Sequence, residues 1–299
     1  VTTCGDLAKA LGDRIAARWV GYFALHHDHR PACACHRIVR VGGVLGGYTA
    51  GSMQDKAKRL ANEGIVLRQG TIDLDRFGFQ DFVTDRPLEP LRQAQESIQR
   101  HIVLRPRRRI PKFIGGVDVA YPEPEVGVAA YALVETETGK LVWSTTVRRR
   151  VVFPYITSYL SFREIPILLE LLDEVRTAGR MAEVVMVDGT GILHHRRAGI
   201  ASHLGVVASL PTIGVTKKLL CGKVDIEEMA PGESRPVVLE NQLTGVAIRP
   251  TSGSRRPIFL SPGHRVDVVF CEQIARRLLI GRRLPEPIYW ADRLSRSGG

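Results

Sequence analysis

Apolar and polar residues alternate in different rhythms on either side of a short polar stretch, and that contrast organises the chain. Up to about Val83 the pattern predicts short helices interrupted by glycine pairs at Gly42-Gly43 and Gly46-Gly47, with a helix from about Gln54 to Asn62. Ile65-Val66-Leu67 and Thr71-Ile72-Asp73-Leu74 then read as a small hairpin around Arg68-Gln69-Gly70. Thr84-Asp85-Arg86-Pro87-Leu88-Glu89-Pro90 has the composition of a linker, so domains at 1–83 and 91–299 are expected. Beyond it come a helix at 91–101, a strand through Phe113 to Tyr121, and strands at 128–134 and 141–152 joined at Glu137-Thr138-Gly139-Lys140. A helix at 162–177 buries Ile167, Leu168, Leu171, Leu172 and Val175. The strand 184–187, a helix near 197–207, the strand 212–215 and a helix at 264–278 complete an α/β order with an antiparallel start and a parallel continuation.

Composition narrows the partners. Among the 299 residues, 42 Lys and Arg face 31 Asp and Glu, a formal charge of +11 that favours a polyanion, nucleic acid first. No apolar run reaches the roughly 18–20 residues of a transmembrane helix and no signal pattern opens the chain, so no membrane partner and a cytoplasmic location are expected. The five cysteines, Cys4, Cys33, Cys35, Cys221 and Cys271, contain no CxxC pair and read neither as a disulfide frame nor as a zinc site. A monomer is expected.

Three carboxylates carry the chemistry. Asp118 interrupts the apolar run Phe113 to Tyr121, Asp188 ends Val184-Val185-Met186-Val187 before Gly189-Thr190-Gly191, and Glu164 stands near the start of a helix. A charge in such a run is costly unless a cation neutralises it, and oxygen ligands from grouped carboxylates suit Mg2+ or Mn2+. A metal-assisted nuclease acting on phosphodiesters is the reading. Taken singly, each acid also fits a cap or turn, and only the ordered set outweighs that.

The surrounding motifs supply the order. Gly116-Val117-Asp118-Val119-Ala120-Tyr121, Pro154-Tyr155-Ile156 with Leu160 to Glu164, Asp188-Gly189-Thr190-Gly191 with His194 and Arg196, Gly199 to Val206, Pro211 to Val215 with Lys217, and Ser261-Pro262-Gly263-His264-Arg265 follow one another. From Leu91 onward the chain resembles endonuclease V, the deoxyinosine-specific repair nuclease. The resemblance implies a ribonuclease H-like fold and cleavage at the second phosphodiester 3′ to deoxyinosine, leaving a 3′-hydroxyl and a 5′-phosphate. It implies metal binding by Asp118, Glu164 and Asp188, catalytic roles for Lys217 beside the phosphate and for His264, and a wedge at Tyr155. Gly189 and Gly191 would let backbone amides approach the flipped base, with His194 beside them. His194-His195, Thr157-Ser158 and Tyr289 replace the family's usual His-Pro, Pro-Gly and arginine.

A second resemblance covers about residues 1–82. Cys35-His36-Arg37-Ile38-Val39 is followed by Gly46-Gly47-Tyr48 and by Lys56 through Glu63-Gly64, and is preceded by Ala16-Ala17-Arg18-Trp19-Val20-Gly21. A thiol beside a histidine suggests an activated nucleophile, although sequence neighbours need not face each other. The longer pattern resembles the C-terminal DNA-binding and active-site domain of O6-alkylguanine-DNA alkyltransferases. It implies a small, mostly α, helix-turn-helix or winged-helix-like domain that transfers an alkyl group from guanine to Cys35 without a cofactor. His36 and Glu63 would deprotonate the thiol through water, Arg18 would enter the base stack, and Tyr48 would border the base pocket. Cys4, His27 and Ala34 stand where the family usually has tyrosine, asparagine and proline. The resemblance starts almost at Val1, so the family's preceding helix and separate N-terminal domain are not expected.

The combined expectation is a fusion acting on damaged DNA carrying deoxyinosine or O6-alkylguanine, with Mg2+ (or Mn2+) serving the nuclease. Two alternatives remain at this point: a first domain that only binds lesions and delivers the nuclease, and a nuclease that acts on inosine in RNA.

Overall fold

In the computed structural model, residues 1–30, 32–251 and 253–297 are described, and they divide into two units, one of residues 1–93 with 155–157 and one of 94–154 with 158–299. The first unit is built from short pieces. Strand β1 (Thr2–Thr3) leads into helix α1 (Cys4–Ala10), and α2 (Ala17–His26) follows. Strand β2 (Ile38–Val39) lies parallel to β1, and α3 (Met53–Asn62) is opened by a reciprocal Ser52–Asp55 capping box. The expected hairpin forms as β3 (Leu67–Arg68) and β4 (Thr71–Ile72), with Gln69 and Gly70 at positive φ; α4 (Leu74–Phe77) then closes the unit.

Among its described residues Val39, Leu60, Ile65 and Ile72 form a small apolar cluster, and Ala8, Ala16 and Val20 are buried as well. Lys56 is fully buried and donates to the carbonyls of Ile38 (2.6 Å), Gly47 (3.4 Å) and Leu45, so its ammonium organises the loop that follows Cys35. Helix α5 (Leu88–His101) starts inside the segment read as a linker and runs across the division at Gln93.

The second unit is an eight-stranded mixed sheet. Strands β5 (Phe113–Glu123), β6 (Val126–Glu135) and β7 (Leu141–Arg150) form an antiparallel meander, and after α6 (Leu160–Thr177) strand β8 (Val185–Asp188) pairs parallel to β5. Helix α7 (Ile200–Val207) leads to β9 (Thr212–Thr216), parallel to β8. Then β10 (Ser234–Leu239), β11 (Gln242–Ile248) and β12 (Ile258–His264) add three antiparallel strands, giving the order β10-β11-β12-β9-β8-β5-β6-β7. The parallel continuation therefore stops at β9. Residues 258–264 complete a strand before α8 (Val268–Leu278) begins, and α9 (Glu286–Ser297) ends the described chain.

Side-chain alternation along the central strands fills a core on each face. Val185 and Val187 join Leu168, Leu171, Leu172 and Leu204 of α6 and α7; Ile114, Met186 and Ile213 join Phe270, Ile274 and Ile288 of α8 and α9. Helix α9 approaches β5 closely because Gly116 has no side chain: a Cβ there would lie 2.2 Å from the Pro287 carbonyl oxygen. Among the described residues no helix is long and apolar enough to cross a membrane.

Candidate functional site

Parallel pairing of β5 and β8 runs from Gly115–Val185 to Val117–Val187, so one further step brings Asp118, midway along β5, level with Asp188 at the carboxyl end of β8. Both follow the alternation of Ile114 and Met186, on the side where α9 packs. The Ser295 hydroxyl of α9 donates to Asp118 Oδ2 at 2.7 Å. Lys217, just past the end of β9, lies 3.4 Å from Asp188 Oδ2 and 3.0 Å from Asp292 Oδ1. Glu164 comes from α6 on the opposite face, is buried, and accepts a hydrogen bond from the Tyr121 hydroxyl at 3.1 Å.

The acids shape one another's ionisation. Burial, reinforced by the charges of Asp118 and Asp188, pushes Glu164 up to about 8 against the pull of the Tyr121 hydrogen bond. Burial and then Asp118 push Asp188 up to about 6, with Lys217 opposing. Asp118 is raised first by burial and then by Asp292, while Ser295 works the other way. Asp292 is itself buried enough to be raised, but its bonds to Arg296 and Lys217 hold it below the ordinary carboxylate value. Lys217 touches Asp188 and Asp292, Arg296 holds Asp292 as well, and the carboxylates of Asp118, Glu164 and Asp188 offer oxygen donors of the kind that suits a hard divalent cation.

Asp292 escaped the reading of the sequence, hidden in the charged, amphipathic α9 where one acid among arginines is unremarkable. Other residues are not brought to this centre. His264 pairs with Thr212, which pairs with Val185, so it sits three residues back along the strands from Asp188, about 10 Å at roughly 3.3 Å per residue. There its Nδ1 accepts from the Val103 amide at 3.2 Å, and burial, then Arg265, lowers its basicity.

His194 is buried, with Nε2 donating to the Ser158 carbonyl (3.2 Å) and Nδ1 accepting from the Arg196 amide (3.2 Å); burial and then Arg196 depress it to about 4. Both nitrogens of this buried ring are engaged within the protein. The glycine amides are also engaged internally, Gly189 N with Val215 O (2.9 Å) and Gly191 N with Ser261 Oγ (2.9 Å). These glycines answer to packing instead: a Cβ would lie 2.2 Å from Ile200 Cγ2 or 2.0 Å from Pro262 O. Tyr155 is 64 % exposed.

In the first unit, His36 Nε2 lies 2.7 Å from Glu63 Oε1, and Arg37 holds the same carboxylate at 2.8 and 3.0 Å. The buried His36 Nδ1 has no hydrogen-bond partner among the described residues. Cys35 is half-buried beside a cavity of about 520 Å³ lined by Phe23, Ala24, Ile38 and Phe82 among others. Burial, and then the neighbouring Cys33, raise the Cys35 thiol to about 11. Cys33 goes the other way: burial opposes it, but hydrogen bonds with His29 and His27 bring it to about 6. The readier thiolate of the pair is therefore Cys33. Arg18 is exposed near the start of α2, and the Tyr48 hydroxyl is buried, its ring 6.0 Å from the Arg59 guanidinium carbon.

A mixed sheet whose adjacent parallel strands carry carboxylates side by side, preceded by a small helical unit, defines a two-part protein with the architecture of a nucleic-acid enzyme. The chain belongs to the endonuclease V family, whose model matches residues 96–293, and residues 1–65 match the DNA-binding domain of 6-O-methylguanine DNA methyltransferase. It is a bifunctional DNA repair enzyme. A bifunctional methyltransferase/endonuclease of Picrophilus torridus is 37 % identical over 224 residues, 75 % of this chain and 71 % of that one. Endonuclease V of Ignicoccus hospitalis is 40 % identical over 184 residues, 62 % of this chain and 81 % of that one. Among solved structures, the catalytic domain of human endonuclease V matches with TM-score 0.67 at 30 % identity, covering 72 % of this chain and 97 % of its own. Ciona intestinalis endonuclease V, in complex with a 24mer DNA containing an inosine followed by a ribo-adenosine, matches with TM-score 0.65 at 27 % identity, covering 72 % and 98 %.

Proposed function

We propose that the second unit cuts DNA at the second phosphodiester 3′ to deoxyinosine, leaving a 3′-hydroxyl and a 5′-phosphate. The observation that carries this reading is that Asp118 and Asp188 stand level on adjacent parallel strands with Lys217 3.4 Å from Asp188, and that buried Glu164 is near enough to feel both charges. These three would hold Mg2+ or Mn2+, with Asp292 adjoining through Lys217. When bound, the metal supplies an ionised water near neutral pH and offsets the charge that builds on the phosphate. Lys217 holds a fixed positive charge at the rim of the cluster, where developing phosphate charge is favoured. Tyr155, exposed beside Pro154, would fill the gap in the stack when the lesion is turned out.

The test is an end-labelled duplex with one deoxyinosine, incubated with Mg2+, with Mn2+ and with chelator. The expected product is a metal-dependent cut one nucleotide beyond the lesion on its 3′ side. Cleavage elsewhere, or unaffected by chelator, overturns the proposal. Inosine in RNA is a second substrate favoured by one observation, the ribo-adenosine after inosine in the DNA bound to the Ciona relative. Matched RNA and DNA strands separate the two.

The first unit would take the alkyl group of O6-alkylguanine onto Cys35. The sulfur–carbon bond forms as the carbon–O6 bond breaks, and guanine keeps the electron pair and gains a proton. A water between His36 Nδ1 and the thiol would relay that thiol's proton to the His36–Glu63 pair, a role that suits the unpartnered Nδ1. The raised Cys35 thiol favours the other reading, a lesion-binding module without transfer. Incubation with alkylated-guanine DNA followed by peptide mass spectrometry decides: one alkyl mass on Cys35 supports transfer, and unmodified protein supports the module.

A further inference from the structure

Away from the acidic centre, two histidines and two cysteines of the first unit meet. His27, His29, Cys33 and Cys35 each offer one ligand atom, and all four atoms lie within 4.8 Å of one another. His27 Nε2 is 3.0 Å from Cys33 Sγ, and His29 Nδ1 is 3.2 Å from Cys35 Sγ and 4.0 Å from Cys33 Sγ. The Cys35 amide donates to Cys33 Sγ at 3.4 Å, which turns that sulfur inward and stabilises negative charge on it. Such spacing is what four ligands around one tetrahedral ion present.

The outward nitrogens of both rings are already assigned. His27 Nδ1 lies 2.9 Å from the Phe23 carbonyl, which can only accept, so Nδ1 carries the hydrogen and the neutral ring turns its Nε2 lone pair toward sulfur. His29 Nε2 lies 2.8 Å from Thr49 Oγ1. The Thr49 hydroxyl uses its one proton on the Leu25 carbonyl at 2.7 Å, so it accepts from Nε2 and leaves the Nδ1 lone pair facing the thiols. Both rings are thus oriented by an oxygen on the far nitrogen, the arrangement that metal-ligating histidines use. The α2 carbonyl and the Thr49 loop fix these orientations independently.

We propose that His27, His29, Cys33 and Cys35 form a tetrahedral zinc site. Two thiolates and two neutral imidazoles give a neutral complex with Zn2+, and mixed sulfur and nitrogen ligands favour it over Mg2+. Binding releases the thiol protons and breaks no other bond. The ion would tie the end of α2 to the loop that carries Cys33 and Cys35, in a unit whose apolar cluster is small. It would also make Cys35 a ligand and hold its sulfur as the thiolate. The site stands whether or not Cys35 accepts alkyl groups.

The experiment uses the full chain, purified reduced and without chelator, with metal content measured after gel filtration. One zinc per chain is expected, retained equally by an Asp118→Ala variant and lost from a His29→Ala/Cys33→Ser double variant. Cobalt exchanged into the intact protein should show intense tetrahedral bands and a thiolate-to-cobalt charge-transfer band that an all-oxygen centre cannot produce. The cobalt spectrum stands even if the double variant does not fold. Zinc lost on gel filtration, zinc retained by the double variant, a cobalt spectrum without the thiolate band, or an intact mass showing Cys33 and Cys35 joined as a disulfide each overturns the proposal.

Discussion

The acidic centre and the cysteine cluster differ in what holds them. Asp118 and Asp188 lie on adjacent parallel strands with apolar cores on both faces, so their separation follows from sheet register and is reinforced by Ser295 and Lys217. Cys33 and Cys35 sit between α2 and β2 in a unit built of short elements, and their neighbours His27 and His29 come from the end of a helix and the loop beyond it. The first site is placed by long-range pairing, whereas the second is placed by local hydrogen bonds and a buried lysine. The lesson is that a reactive carboxylate cluster can rest on the scaffold alone, whereas a loop-borne thiol needs an added tether. A metal would supply one.

Removing the central acid should break this comparison most severely. Asp118→Ala is expected to lower nicking of deoxyinosine DNA by about 10²–10³-fold or more. Thermal unfolding without added cation should remain near that of the intact protein, because a raised, buried carboxylate is lost. Equal nicking rates in the two proteins would remove Asp118 from the site. Next, Gly116→Ala places a Cβ 2.2 Å from the Pro287 carbonyl oxygen, a backbone atom that cannot swing aside. A cost of about 1–3 kcal/mol is expected, along with slower cutting as Ser295 and Asp292 shift with α9. Denaturant titration and a nicking assay check both, and a neutral result would mean α9 moves without consequence.

Lys56→Met sharpens the contrast from the other side. It leaves three carbonyls, those of Ile38, Leu45 and Gly47, without their donor, at a cost of about 1–3 kcal/mol. Faster hydrogen exchange is expected around residues 38–47 with nicking unchanged; unaltered exchange there would show that the ammonium does not hold the loop.

The smallest effect is on pH dependence. Glu164 ordinarily titrates near 4.5 but reaches about 8 when folded, and Asp188 moves from 3.8 to about 6. The folded state then binds more protons than the unfolded chain, so the metal-free protein loses stability as pH rises from about 4.5 toward 8. Mg2+ must displace those protons, so the rise in melting temperature on adding Mg2+ should be a few degrees larger at pH 8 than at pH 6. A smaller rise at pH 8 would detach these carboxylates from cation binding.

Much of this was legible in linear order. Asp118 and Asp188 stood out because each interrupts an apolar run, and the helix at 160–177 announced itself through its leucine stripe. Strand β10 escaped notice because only Val237 of it is buried, and β11 because its apolar run, Val246-Ala247-Ile248, is short although Thr244 to Ile248 are all buried. His264 drew attention as a histidine in a recognisable motif, yet antiparallel pairing carries it toward the other end of the sheet. His27 drew attention only as a departure from a pattern, and Cys33 only as one of five cysteines without a zinc-site spacing, because a histidine pair and a cysteine pair at these spacings acquire meaning only when a loop folds them together.

By itself the sequence determined the two-part organisation of repair motifs, the helical and strand rhythm of each part, and three candidate acids, two in apolar strands and Glu164 on a helix. Local periodicity and motif order are properties of neighbours along the chain, so they survive without coordinates. Only the tertiary structure decided that Asp292 joins the acids while His264 does not, that the Gly189 and Gly191 amides are bonded internally, and that His27 and His29 turn their lone pairs on two sulfurs. Each of those outcomes depends on strand register, helix docking or hydrogen-bond geometry, which join residues far apart in sequence or fix the direction of a ring, and spacing along a chain encodes neither.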